Sequence, residues 1–297
     1  MRIAVTGAAG FVGRAVVGEL AARGIPNVLL VDRAFATPMP FETLTGDIRD
    51  PVVLAHVAGA DAVLHLAALP GAASEAVPVA SRAINLDLPL LLIEALHGRR
   101  LVLASSIAVY GGRLDGPVDD DTVPVPASVY GTHKRMSELA FADAARRGAI
   151  AGMALRLPGI VARPCRAGGF GSAFLSDLFH AARAGEDYVV PVAPDATSWL
   201  LSARAAARML VDGLLSPATE ALPVTLPACH VRIGALVEAL GRTGDTTRFT
   251  YAEDARLRAT FGSYPALITA RADAMGFRPD ADIDALIAAA LEEANMV

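Results

Sequence analysis

The sequence predicts an α/β protein built on a doubly wound parallel sheet, with a smaller lobe interleaved in its second half. Two observations predict it. Through the first half of the chain, short apolar runs alternate with stretches of helical spacing, and that alternation builds a parallel sheet with helices on both faces. The first apolar run also passes directly into a glycine-punctuated turn, Gly7-Ala8-Ala9-Gly10-Phe11-Val12-Gly13, that opens the first helical stretch.

The elements follow in order. Residues 2–6 form an apolar strand and 11–23 a helix; 27–31 is again a strand. Residues 51–58 are helical, with Pro51 in the first turn, where proline's missing N–H costs nothing. The run 62–66 is continuously apolar, as a strand buried on both faces must be. A long helix is expected over 79–96, a strand over 99–104, a helix over 128–147 opened by a Ser128 cap, and a strand over 151–157. Beyond it the pattern loosens into the Pro-, Gly- and Arg-rich stretch 158–171, then helices near 174–184, 203–215, 234–241 and 283–295. The predicted division is a sheet domain over 1–160 and a lobe mainly from 161–297, with part of 187–230 returning to the sheet edge.

Composition narrows the function. The chain has 297 residues, 54% of them hydrophobic and 19% charged, with a formal net charge of −5. It can bury a sizeable core, and it lacks the basic block that nucleic acid or an anionic membrane would require. Cys165 and Cys229 are too far apart for a metal-binding pair, and the six histidines show no ligand spacing, so no metal site is predicted. No apolar run is long enough to span a bilayer. Residues 1–13 are apolar enough to imitate a signal peptide, but Arg14 and Glu19 follow without a small-residue cleavage site. A cytoplasmic protein is expected.

Glycines at a first strand-to-helix turn let backbone amides approach a pyrophosphate, which the helix N-terminus then attracts. The spacing here is G-x-x-G-x-x-G. Asp32 ends the second strand, where a carboxylate accepts the ribose hydroxyls of an adenosine and repels a 2′-phosphate, so NAD is favoured over NADP. Asp47, in Gly46-Asp47-Ile48, is a second acid placed for the adenine edge or for a loop cap.

Tyr130 and Lys134 stand at i and i+4 on one helix face. A phenol with a pKa near 10 needs a shift of about three units, roughly 4 kcal/mol, to act as a base near neutrality. A cation 4 Å away supplies only about 1 kcal/mol in bulk water but about 4 at an effective dielectric of 20. The pair therefore works only in a partly closed site. Ser105 and Ser106 end the fifth strand, at the sheet edge where ligands bind. Ser106 is placed to orient a reacting oxygen, and Ser105 either joins it or caps the backbone.

With these residues in view, the chain resembles the extended short-chain dehydrogenases/reductases, the NAD-dependent epimerase/dehydratase family, whose domain is the Rossmann sheet. The resemblance rests on Thr6 to Gly13, His65-Leu66-Ala67-Ala68, Asn85-Leu86-Asp87, Ser105-Ser106, and Tyr130 with Lys134. It implies Tyr130 as acid/base, Lys134 holding the nicotinamide ribose, Ser106 orienting substrate and Asn85 in a proton relay. It implies cofactor contacts from Gly7, Ala9, Gly10, Phe11, Val12, Gly13, Asp32, Asp47, Ile48, Leu66, Ala67, Ala68, Asn85, Ser105, Tyr130, Lys134, Leu157 and Pro158.

Within the family the chain is most similar to the D-erythronate dehydrogenase group, through Glu138-Leu139, Leu155-Arg156-Leu157-Pro158, Arg163-Pro164, Trp199-Leu200-Leu201-Ser202 and Ser263-Tyr264-Pro265. It departs from that group at Leu69-Pro70-Gly71 and at Cys165-Arg166-Ala167-Gly168-Gly169. The expected reaction is oxidation of the 2-hydroxyl of a small aldonic acid; a nucleotide-sugar epimerase or dehydratase on the same fold is the alternative. A dinucleotide sensor without catalysis would not need Ser106, Tyr130 and Lys134 together.

Arg163 and Arg166 are candidate grips for a substrate carboxylate, since arginine binds one with two parallel hydrogen bonds. Trp199, the only tryptophan, is either core or a wall of the substrate site. Pro89 has no N–H for the carbonyl of Asn85, four residues earlier, so a kink there either frees that carbonyl for a relay water or serves packing. The 79–96 helix is apolar nearly all round, which suggests a homodimer through its outer side.

Overall fold

The computed structural model describes residues 1–112, 114–164, 171–243 and 248–294. The chain forms two compact units, one from Met1–Val109, Ser128–Arg156 and Ala207–Val224, the other from Tyr110–Ala127, Leu157–Ala206 and Thr225–Val297.

In the first unit the elements are, in order, β1 (Ile3–Thr6), α1 (Phe11–Ala22), β2 (Val28–Asp32), β3 (Glu42–Thr45), α2 (Pro51–Ala58), β4 (Ala62–His65), α3 (Gly71–Ala76), α4 (Pro78–Arg82), α5 (Leu88–Ala95), β5 (Arg100–Ser106), α6 (Val129–Arg146) and β6 (Ala151–Leu157). The seven-stranded sheet runs β10-β6-β5-β4-β1-β2-β3, where β10 is Val224–Thr225. β1 pairs in parallel with β2 and with β4, placing Thr6 beside Val31 and His65. The strand order therefore reverses next to β1, which opens a crevice at the carboxyl ends of β1 and β4. Leu29, Val31, Val63, Leu101 and Leu103 from the strands and Leu92, Leu96 and Phe141 from the helices share a buried core.

Three features depart from the sequence reading. α3 is a short helix after β4 where no element was expected. β3 is a short, mostly exposed edge strand, too polar to signal itself. The helix expected over 79–96 is broken: α4 and α5 flank a π-helical turn, Ala83–Asp87, in which the Leu88 N–H bonds the Ala83 carbonyl. Pro89 is the physical reason. Without an N–H, Pro89 cannot bond the Asn85 carbonyl, which instead accepts the Ser137 hydroxyl of α6 at 2.9 Å.

The second unit contains β7 (Gly159–Ile160), α7 (Phe174–Ala184), β8 (Tyr188–Val190), β9 (Thr197–Leu201), β11 (Cys229–Arg232), α8 (Ile233–Gly241), β12 (Phe249–Tyr251) and a C-terminal helix, Ile283–Ala294. β9 lies between β11 and β7, and β8 pairs with β12. Leu178, Phe179, Leu200, Leu236, Leu240 and Leu286 form its core. No helix among the described residues is long and apolar enough to cross a membrane.

Candidate active site

The glycine turn closes β1 onto its neighbours. Gly7 has φ +74°, and a Cβ there would lie 2.6 Å from the Ala67 nitrogen, so the loop after β4 packs directly against the turn. A Cβ on Gly13 would lie 2.2 Å from the Gly7 carbonyl oxygen. α1 begins at Gly10 without a capping side chain or an acidic residue in its first turn. Amides and helix dipole are thus left for an anion from outside the chain. Leu66 and Ala67 are half-buried beside the turn and Ala68 is exposed.

Asp32 is fixed by the same turn. Its Oδ2 accepts the Ala9 N–H at 2.9 Å and its Oδ1 the Arg33 N–H at 2.7 Å. A carboxylate oxygen can accept more than one hydrogen bond, so both keep capacity for ribose hydroxyls. Asp47 is paired with Arg49, whose hydrogen bonds pull its pKa to about 2. The Ile48 side chain lies in the sheet core, leaving its main chain as the part that can face a ligand. Glycines where Cβ atoms would clash, an uncapped helix start and an acid at the end of β2 together fit a dinucleotide.

Ser128 caps α6, accepting the Gly131 N–H at 3.0 Å. Tyr130, Lys134 and Glu138 then follow at one-turn intervals along this helix. Lys134 is the only lysine in the chain; every other Lys/Arg position is arginine. It is 2% exposed, donates to the Ala104 carbonyl at 2.7 Å, and holds its Nζ 5.6 Å from the centre of the Tyr130 ring. Burial pushes its pKa down to about 8, while the Glu138 carboxylate opposes that fall. Lys134 therefore remains a cation at neutral pH in a weakly screened setting. The buried His65 bonds Thr6 through Nδ1 at 2.7 Å; burial, and then the charge of Lys134, push it down to about 3.

Ser106 is half-buried at the end of β5, and its Oγ accepts the Ala108 N–H at 3.2 Å. The Ser105 hydroxyl turns the other way and donates to Glu138 Oε1 at 2.6 Å. Asn85 is fully buried, and its side chain organises the loop after β4: Oδ1 accepts the Leu69 N–H at 2.9 Å, while Nδ2 reaches the Leu69 carbonyl, Ser74 Oγ and Ser81 Oγ at 2.8, 3.1 and 3.2 Å. What remains for a relay is its main-chain carbonyl, which has a second lone pair beside the Ser137 bond.

Leu157, Pro158, Arg163 and Trp199 belong to the second unit. Leu157 ends β6 half-buried, and Pro158 is buried. Arg163 is half-buried, with Nη2 3.2 Å from Ser172 Oγ. Trp199 is corrected: it is fully buried, donates from Nε1 to the Pro265 carbonyl at 2.7 Å, and packs against Tyr264 and Tyr110. A side chain without exposed surface is core, not a wall facing substrate. Arg166 and Cys165 lie outside the described residues. Sequence reasoning missed Glu138 and Arg156 as site-supporting residues. The available signal was a glutamate one turn past Lys134 on the same face, and a lone lysine in a chain that otherwise uses arginine.

The family model for the NAD-dependent epimerase/dehydratase family matches residues 3–200. The chain belongs to this family. It is accordingly an NAD-dependent oxidoreductase of the short-chain dehydrogenase/reductase type, as its sequence resemblance implied. A D-erythronate dehydrogenase from Cupriavidus necator is 36% identical over 100% of this chain and 99% of its own length. One from Haemophilus influenzae is 26% identical over 97% and 98%. Among solved structures, a nucleoside-diphosphate-sugar epimerase from Agrobacterium tumefaciens is 27% identical, with a TM-score of 0.84 over 97% of this chain and 92% of its own.

Proposed function

We propose that this family member oxidises the hydroxyl next to the carboxylate of a small aldonic acid, D-erythronate or a close relative, to a 2-oxo acid. The observation that carries the chemistry is Tyr130 one turn from a single buried lysine, which is anchored to the Ala104 carbonyl two residues before Ser106 on β5. NAD, when bound, would supply the hydride acceptor. Tyr130 takes the proton of the substrate hydroxyl, Lys134 would hold the cofactor's ribose and lowers the phenol's proton affinity, and Ser106 orients the reacting oxygen. Asn85 contributes its main-chain carbonyl to the relay behind Lys134, and Asp32 selects NAD over NADP. The main chain around Gly7, Ala9, Gly10, Phe11, Val12 and Gly13 carries the pyrophosphate. Arg163 is the residue assigned to the substrate carboxylate. The likeness to two D-erythronate dehydrogenases along essentially their whole lengths supports the substrate class.

The lobe after residue 160 serves the substrate in this reading, and the enzyme works in the cytoplasm as a homodimer. Val79, Leu139 and Met136 are 86, 54 and 46% exposed on α4 and α6, which supports a self-association face there. The deciding experiment is a panel of four- to six-carbon aldonates and nucleotide sugars with NAD and NADP, followed by absorbance. An aldonate that accumulates NADH is the expected result. Conversion of a nucleotide sugar with NAD regenerated would establish the epimerase alternative, and equal oxidation of uncharged polyols would remove the role of Arg163.

A further inference from the structure

Glu138 is completely buried, and its carboxylate is fully occupied. Oε1 accepts the Ser105 hydroxyl at 2.6 Å and Arg156 Nε at 2.8 Å; Oε2 accepts Arg156 Nη2 at 2.9 Å and Arg135 Nη1 at 3.2 Å. Arg156 is itself 6% exposed. A buried ion pair of this kind adds little net stability, because desolvation offsets most of its attraction and apolar residues of similar volume serve as well. Its value lies in what it holds in place.

Consecutive residues of β5 are bolted to consecutive turns of α6. The Ala104 carbonyl accepts Lys134, and the Ser105 hydroxyl donates to Glu138. Ser106 is the next residue of the strand, and Tyr130 is one turn before Lys134. Arg156 brings in β6, one residue before Leu157 and Pro158. We propose that Glu138 is the positioning residue of this active site: its buried carboxylate locks the Ser105–Ser106 end of β5 and Arg156 of β6 to the helix bearing Tyr130 and Lys134, and supplies the counter-charge of the chain's only lysine. The charged and titratable groups around Lys134 are Glu138 and Tyr130 on its own helix and His65 from β4; those on Glu138 are Arg135 and Arg156.

The inference rests on Tyr130 and Lys134 as the catalytic pair, not on the choice of substrate. The single lysine makes it measurable without turnover: protein grown on isotopically labelled lysine gives one side-chain NMR signal, whose shift against pH reports the Lys134 proton. In Glu138→Gln the midpoint should fall by about one pH unit, because a neighbouring opposite charge favours the ionised form. Glu138→Asp, which keeps the charge, should recover most of that fall. Ser105→Ala should leave the midpoint in place but lower kcat severalfold. If an unpaired Arg156 prevents folding, Glu138→Gln/Arg156→Gln takes the place of the single variant, and its midpoint should lie about one unit below that of Arg156→Gln, which isolates the Glu138 charge. A midpoint that stays at the wild-type value in the folded Gln variant, or a Ser105→Ala enzyme with wild-type kcat, overturns the proposal. An aldonate panel without turnover leaves the titration untouched, so failure of the substrate reading is seen separately.

Discussion

The Nζ of Lys134 lies 5.6 Å from the centre of the Tyr130 ring while donating to the Ala104 carbonyl at 2.7 Å. The lysine is thus anchored to a strand, and in the proposed reaction it acts on Tyr130 as a nearby fixed cation. A fixed cation in a buried setting is worth several times its value in water, on the scale needed to bring a phenol toward neutrality.

Tyr130→Phe follows directly. The ring still packs beside Lys134, but no proton can be taken from substrate. Turnover should fall by roughly 10²–10⁴-fold, the usual contribution of a general base, with NADH affinity nearly unchanged. Steady-state kinetics and fluorescence titration with NADH check both halves. Turnover within a few-fold of wild type would assign the base elsewhere.

In the proposed reading Asp32 has two duties, and its replacement should expose both. Asp32→Ser removes the acceptor for ribose hydroxyls and the bond to the Ala9 N–H that holds the glycine turn. Losing hydrogen bonds to a charged group costs roughly 1.5–3 kcal/mol. NAD should therefore bind about tenfold to a hundredfold more weakly, while NADPH binding improves relative to NADH, since the carboxylate no longer repels a 2′-phosphate and Arg33 remains. A wild-type enzyme that prefers NADP contradicts this assignment.

His65 sets an acid limit on stability. In the unfolded chain it takes a proton near pH 6.5; in the fold burial delays that until about 3. Between these values the unfolded state holds more protons, so stability rises with pH across the window and is lost as pH falls from 6.5 toward 3, by about 1.4 kcal/mol per unit at most. Urea unfolding at several pH values should show this slope. His65→Asn should flatten it, and an unchanged slope would place the acid sensitivity in other groups.

Much of this was legible in the sequence, for identifiable reasons. Strands buried on both faces must be apolar throughout, so 62–65 and 101–104 announced themselves, and Ser128 announced its helix by capping it. β3 did not, because an exposed edge strand has no apolar signature. The 79–96 stretch has unbroken helical spacing, and only Pro89 hinted that its middle adopts a wider turn. Tyr130, Lys134, Ser106 and Asp32 stand out as candidates because motif spacing and strand ends single them out. Trp199 was ambiguous because a large aromatic side chain suits core and cleft equally. The partners of Glu138 come from β5 and β6, long-range contacts that local spacing does not encode.

Pro89 offers the test of whether that wider turn matters to the reaction. Because proline donates no N–H, the Asn85 carbonyl bonds Ser137 on the catalytic helix, while the Asn85 side chain gathers Leu69, Ser74 and Ser81. Pro89→Ala returns an amide that competes for the Asn85 carbonyl and lets Ala83–Asp87 relax toward regular α-helix. Moving one residue out of the turn rotates Asn85 about the helix axis, away from the loop that packs on the glycine turn. Stability should hold or rise, since a helical hydrogen bond is gained where proline normally costs about 3 kcal/mol, and kcat should fall. Tm and kcat measured on the same preparation separate the outcomes: a drop in kcat at equal or higher Tm assigns the turn to function, whereas parallel losses of both make it a packing device only.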